Sequence, residues 1–140
     1  MLEDKRLLAG GGATHVAIAR RLRRFAESIP GREQLGAEAF ADALEVIPRV
    51  LAENAGLDPI DTLLQLVAAQ VNGGKDSHYL GLDLLNRKPA NMVESGIIEP
   101  YLIARQSISG ATEAAISILR IDDVLWAKQD PTMAEVPEME

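Results

Sequence analysis

Three consecutive glycines, Gly10-Gly11-Gly12, run directly into Ala13-Thr14 and a helical apolar pattern. A backbone without Cβ atoms lets a ligand approach closely. The first amides of the following helix, with the positive end of its dipole, then face whatever sits before them. That arrangement suits an anion such as phosphate. The same residues serve equally as a tight turn that lets the helix pack close to its neighbours, and glycines alone do not separate the two readings. The remaining chemistry-bearing side chains are scattered. Glu38, Asp42, Glu45 and Glu53 fall at helix-surface spacing with no histidine or nucleophile beside them, so they read as a solvated face and not as an acid/base pair. Arg20, Arg21, Arg23 and Arg24 form a dense basic cluster, read as a solvated face that pairs with acids elsewhere. His15 reads as an exposed first-turn side chain and His78 as a lone loop histidine. Asp122 and Asp123 are adjacent on an extended segment and point to opposite sides, which does not suit a shared metal. Asp83 reads as a turn residue, and Glu99, before Pro100, as a helix-capping residue.

The elements that must position these groups are mostly helices. Phe40, Ala43, Leu44, Ile47, Val50 and Leu51 recur at helical spacing, with Pro48 inside the run. The expectation is one helix kinked at that proline. Gly56 closes it, Asp58 caps the next helix, Pro59 opens it, and Ile60, Leu63, Leu64, Val67 and Val71 form its buried face. Val16, Ile18, Leu22, Phe25 and Ile29 mark the buried side of the helix after the glycines. The residues from Tyr79 to Leu85 and from Asn86 to Asn91 read as short strands or turns, and Met92 to Ser95 as a helical turn stopped by Gly96. A last helix from about Tyr101 to Leu119 has Ala104, Ile108, Ala111, Ala115 and Ile118 inward. Gly110, in its middle, costs about 1 kcal/mol relative to alanine. The predicted fold is mainly α, a bundle of four main helices with short peripheral strands.

Composition removes several function classes. With 140 residues the chain is one domain with a core, and its 47% apolar content is that of a soluble globular protein. A net charge of −7 argues against a nucleic-acid partner. The absence of cysteine excludes disulfides and thiolate metal sites. No long uncharged apolar run predicts a membrane span, and no apolar signal core follows the first charges, so a cytoplasmic location is expected.

The stretch EAFADALEVIPRVLAENAGLDPIDTL resembles the signature of the group II chaperonins, the archaeal thermosome subunits and their eukaryotic cytosolic relatives. The resemblance runs from about Glu3 to Lys128. It implies that residues 1–128 are the C-terminal segment of a chaperonin equatorial ATPase domain and that 129–140, rich in acids and prolines, is a disordered tail. By the same resemblance Gly10, Gly11 and Gly12 lie against a bound nucleotide. Asp83 and Leu84 line the base side, and Glu99 hydrogen-bonds the ribose hydroxyls. A carboxylate can accept from both of two adjacent hydroxyls. In the family an acidic residue more often stands at the position of His15, and the segment around Arg120 to Val124 is a strand at the contact between subunits, with Trp126 a large addition at its end.

The resemblance also implies what lies elsewhere in such a protein. The Gly-Asp-Gly-Thr phosphate loop that holds phosphate and magnesium, the aspartate that activates water, and the apical domain that binds unfolded protein have no counterpart in this sequence. The cofactor of the family is ATP or ADP with magnesium, and its magnesium ligands are not expected in this chain. No ATP hydrolysis is therefore expected from the chain alone. Uncovered apolar surface predicts self-association or contact with neighbouring chaperonin subunits. Two further functions stand beside this one: a non-catalytic helical self-association module derived from the same fold, and an unrelated phosphate-binding enzyme built on the glycine loop. No nucleophile, metal cluster or acid/base pair accompanies the loop to support the last.

Overall fold

In the computed structural model, which describes residues 4–121, β1 (Leu7–Ala9) leads through the glycine turn into α1 (Ala13–Ala26). Then come α2 (Glu33–Leu44), α3 (Val46–Asn54) and α4 (Pro59–Asn72). A 3₁₀ turn over Gly74–Tyr79, β2 (Leu80–Asp83), β3 (Lys88–Asn91), β4 (Ile98–Pro100) and α5 (Tyr101–Leu119) complete the order. The strands form two antiparallel ribbons, β1 with β4 and β2 with β3. The architecture is thus mainly helical with short peripheral strands, as the sequence predicts.

The predicted single kinked helix is two helices. Pro48 has no amide hydrogen for the Leu44 carbonyl, and its ring crowds that preceding turn. The ladder breaks at Glu45, which keeps helical backbone angles (φ −76°, ψ −8°) between α2 and α3. The next junction forms as expected. Gly56 takes a φ of +68°, and the Asp58 carboxylate accepts from the amides of Ile60 and Asp61 at 2.9 and 2.8 Å. Pro59 opens α4 without wasting a donor.

Of the predicted faces, Val16, Leu44 and Leu63 are buried and Ile18, Leu22, Ile29, Leu51 and Val67 half-buried, while several bulky members are not. In α2 and α3, Ala41, Leu44, Glu45, Pro48 and Ala52 are buried, while Phe40, Ile47 and Val50 are exposed. In α4, Leu63, Leu66 and Gln70 are buried and Ile60, Leu64 and Val71 are exposed. In α1, Ala13, His15, Val16, Ala19 and Ala26 are buried and Phe25 is exposed. In α1, α2 and α3 the reason is close helix approach: alanines take contact positions, which lets the backbones come together and leaves bulkier side chains outside. The core joins Val16, Ala52, Leu63, Leu66 and Leu82, with a second cluster of Ala9, Ala13 and Met92 beneath the glycine turn. Buried Gln70 donates from Nε2 to the carbonyls of Ala13 and Leu80, at 2.9 and 2.8 Å, and so ties α4 to both α1 and β2.

Contacts divide the chain into two compact units, one ending at Ala104 and the other starting at Arg105. In the second unit, Ile108 and Thr112 of α5 are half-buried, and the remaining described residues are exposed. Of the expected inner face, Ala104 is buried and Ile108 half-buried, whereas Ala111, Ala115 and Ile118 are exposed. The expected strand from Ile121 onward, Asp122, Asp123, Trp126 and the tail boundary at residue 129 lie outside the described residues.

Candidate functional site

The glycine turn is built by positive backbone angles and by what presses on it. Gly11 and Gly12 have φ of +59° and +75°. A Cβ on Gly10 would lie 2.9 Å from Ile97 Cγ2, on Gly11 2.6 Å from Met92 Sδ, and on Gly12 2.8 Å from Pro48 Cβ. Close packing alone thus requires all three glycines. The amide side of the turn is a separate matter. No side chain caps the N-terminus of α1, and the hydroxyl of Thr14 donates back to the Ala9 carbonyl at 2.9 Å. The Ala13 amide donates to the Gly10 carbonyl at 3.0 Å, and the next amides of the first turn, with the dipole, are left to meet an acceptor from elsewhere.

Two other segments are hydrogen-bonded to this turn. The Leu82 amide donates to the Gly11 carbonyl at 2.9 Å, which places the end of β2, and so Asp83 and Leu84, beside it. The Gly10 amide donates to the Ile97 carbonyl at 2.9 Å, which brings β4 along the other side, with Glu99 opposite Leu8. The six residues singled out from sequence therefore sit on three segments joined at one turn. Their side chains differ in what they offer. Glu99 does not cap α5: its Oε1 is buried with no hydrogen-bond partner. A buried, unmatched carboxylate oxygen is costly and is set to accept from an incoming donor. Leu84 is exposed. Asp83 is the turn residue that its position suggested. Its Oδ1 accepts from the amides of Leu85 and Asn86, both at 3.0 Å, and its Oδ2 from Asn86 Nδ2 at 2.6 Å.

Those bonds, the Asn86 side chain first, hold the Asp83 carboxyl below the usual carboxylate range. The folded value is lower than the unfolded one, so the contribution to the β2–β3 turn is complete above the ordinary aspartate range. It fades as pH falls through the lowered value. An NMR titration of the Asp83 carboxyl carbon is expected to show this low midpoint. Asn86→Ala is expected to move it up towards that of a free aspartate, and an unchanged midpoint would refute the assignment to Asn86.

Sequence reasoning missed three buried polar groups. His15, expected to be exposed, is 6% exposed, and its Nδ1 has no partner. Glu45, expected on a solvated face, is buried and bound by Arg23 and Arg49. Gln70 is 1% exposed, in a position that carries no local sequence cue. Burial of all three arises from contacts between separate helices, which leave no local signal. Of the arginine cluster, Arg23 pairs with acids as expected, at 2.7 Å to Asp42 and also to Glu45. Arg20, Arg21 and Arg24 form no ion pair among the described residues. No group of three metal-type side chains occurs among the described residues, and no helix there is long and apolar enough to cross a membrane.

Comparison with known proteins shows the family. Residues 1–129 match the model of the TCP-1/cpn60 chaperonin family. A thermosome subunit of Methanocaldococcus jannaschii is 53% identical over 128 residues, 91% of this chain and 23% of that protein. A thermosome beta subunit of Halobacterium salinarum is 52% identical over 126 residues, 90% of this chain and 22% of the relative. This chain therefore spans under a quarter of the length of these relatives. Among solved structures, the open-state monomer of a group II chaperonin from Methanococcoides burtonii superimposes with a TM-score of 0.75 at 44% identity. That match covers 82% of this chain and 28% of the other.

Proposed function

The chain belongs to the TCP-1/cpn60 chaperonin family, and from that premise we propose that it supplies one half of a nucleotide pocket together with ring contacts in an ATP-dependent protein-folding chaperonin. Residues 1–128 correspond on this reading to the C-terminal segment of the equatorial domain. The nucleotide is ATP or ADP. Its phosphates meet the uncapped start of α1 at Gly10, Gly11 and Gly12. Its base lies by Asp83 and Leu84, and its ribose hydroxyls donate to Glu99. Magnesium, which would neutralise phosphate charge when the nucleotide is bound, is assigned no ligand among these residues. Hydrolysis needs groups that this site does not contain, so the chain alone is read as a nucleotide binder and not as an ATPase. Unfolded clients would be met by other parts of the machine.

The observation that carries the reading is the unmatched Oε1 of Glu99, buried on a strand hydrogen-bonded beside an uncapped helix start. The test is calorimetric titration of the chain with ATP and with 2′-deoxy-ATP. A hydrogen bond to a charged group is worth about 1.5–3 kcal/mol, so Glu99→Ala is expected to weaken ATP by roughly 10- to 100-fold. The deoxy-nucleotide should bind the wild type more weakly, and the variant should no longer distinguish the two nucleotides. Equal ATP affinity in wild type and variant would refute the role of Glu99. No measurable binding would favour the second reading, a non-catalytic self-association module. The exposed Phe40, Ile47, Val50, Ile60 and Leu64 speak for that module.

A further inference from the structure

Helix α1 has two working faces. Through Gly12 and Arg23 it meets Pro48, Asp42 and Glu45 of α2, α3 and the break between them. Its other face lines an open cleft of about 850 Å³. The cleft floor is apolar, with Leu7 and Ala9 from β1, Ile18 from α1 and Ile98 from β4. Leu7 and Ile98 are 52% and 47% exposed and leave apolar surface open in the cleft. The wall carries Arg20, Arg21 and Arg24, and no aspartate or glutamate lines the cleft at all. None of the three arginines has an ion-pair partner among the described residues, whereas neighbouring Arg23 is paired twice. In a chain of net charge −7, acids are in excess. The cleft nonetheless concentrates cations without a counter-charge over an apolar floor.

We propose that this cleft docks a polypeptide segment from outside this chain, one that combines an apolar face with carboxylates spaced one helical turn apart. Arg20 and Arg24 are themselves one turn apart, with Arg21 beside them, so their guanidinium groups match such spacing. The charge spread along the helix exceeds what a single small head group would engage. The apolar floor supplies the desolvated centre and the arginines the polar rim, which is the ordinary anatomy of an interface. Electrostatic complementarity then selects acidic over basic partners. The cleft is distinct from the nucleotide residues. None of Gly10, Gly11, Gly12, Asp83, Leu84 and Glu99 lines it.

The test titrates the full chain against a fluorescein-labelled amphipathic peptide of leucine and glutamate, with glutamates at i and i+4, and against its leucine/lysine twin. Fluorescence anisotropy is expected to report saturable binding of the acidic peptide only, weakening with added salt. Arg20→Glu with Arg24→Glu is expected to reduce that affinity by roughly 10-fold or more. Arg32→Glu, an exposed cation outside the cleft, should leave it unchanged. Circular dichroism confirms that each variant folds. Equal binding of both peptides, or an unchanged affinity in the Arg20/Arg24 variant, would overturn the proposal. So would saturable binding of laurate or inorganic phosphate without binding of the acidic peptide, which would mark a small-anion site. Nucleotide affinity is read separately with ATP, so failure here leaves the Glu99 test standing.

Discussion

Gly81→Ala is expected to destabilise the unit ending at Ala104 by about 3 kcal/mol, towards the upper end of overpacking costs. The added Cβ would lie 2.6 Å from Met92 Cγ, 2.7 Å from the Gly10 carbonyl oxygen and 3.0 Å from that of Gly11. Met92 is flexible and can shift, although it is fully buried. The two carbonyls cannot easily shift, because each already serves the turn. Gly10 accepts from the Ala13 amide at 3.0 Å and Gly11 from the Leu82 amide at 2.9 Å. Relief would therefore have to open the glycine turn itself, and the start of α1 with it. Gly36→Ala is the matched control: it lies within α2 with nothing near the new atom, and should stabilise by about 0.5–1 kcal/mol. Urea unfolding of both variants checks the pair through their midpoints. A loss below about 1 kcal/mol at Gly81 would mean that β2 and the turn are not held as closely as described.

What could be foreseen from the sequence was local. The Asp58-Pro59 start of α4, the Gly56 stop and the Asp83 turn are each decided by a few neighbouring residues, and all three form. The family resemblance, resting on a long continuous stretch, was equally legible and is matched by the family comparison. The side on which the Phe40–Ala52 run is buried was legible only in part, at Leu44 and Leu51. From Phe40 to Ala52 there are two apolar stripes, one of bulky residues and one including Ala41, Pro48 and Ala52, and periodicity weights the bulky one. The packed structure buries the other, because close approach of α1 rewards small side chains. The same limit hid His15, Glu45 and Gln70, whose burial depends on helices far apart in the chain. It also hid the one feature of Glu99 that bears on function. The capping role was the local inference, whereas the unmatched oxygen exists because β4 pairs with β1, near the opposite end of the described chain.

Arg23→Ala is expected to cost about 3 kcal/mol, and the reason lies in its partner. Glu45 is 3% exposed, and Arg23 engages both of its carboxylate oxygens, one at 2.8 Å. Arg49 stands at 3.5 Å as a weaker second cation. Removing one member of a buried pair leaves a desolvated charge, typically a loss of about 3–5 kcal/mol, and Arg49 keeps the expected value at the lower end. Arg23 itself has a 38% exposed side chain, so solvent screens its attraction and the intact pair adds little net stability. The hydrogen bond to Glu45 is the main reason that its guanidinium is held above its usual pKa. It stays charged at any pH at which the protein folds. Asp42, whose side chain is 62% exposed, shares the same guanidinium. Asp42→Ala should change stability by no more than about 0.5 kcal/mol. Arg23→Met with Glu45→Leu should recover most of the single-variant loss, because well-packed apolar replacements of a buried pair are close to neutral. Equal effects of Arg23→Ala and Asp42→Ala in urea unfolding would overturn this account. Glu45 is also the residue at which Pro48 breaks the α2–α3 run. The pair therefore fixes α1 across that break, where the backbone ladder is interrupted and side chains must hold the angle instead.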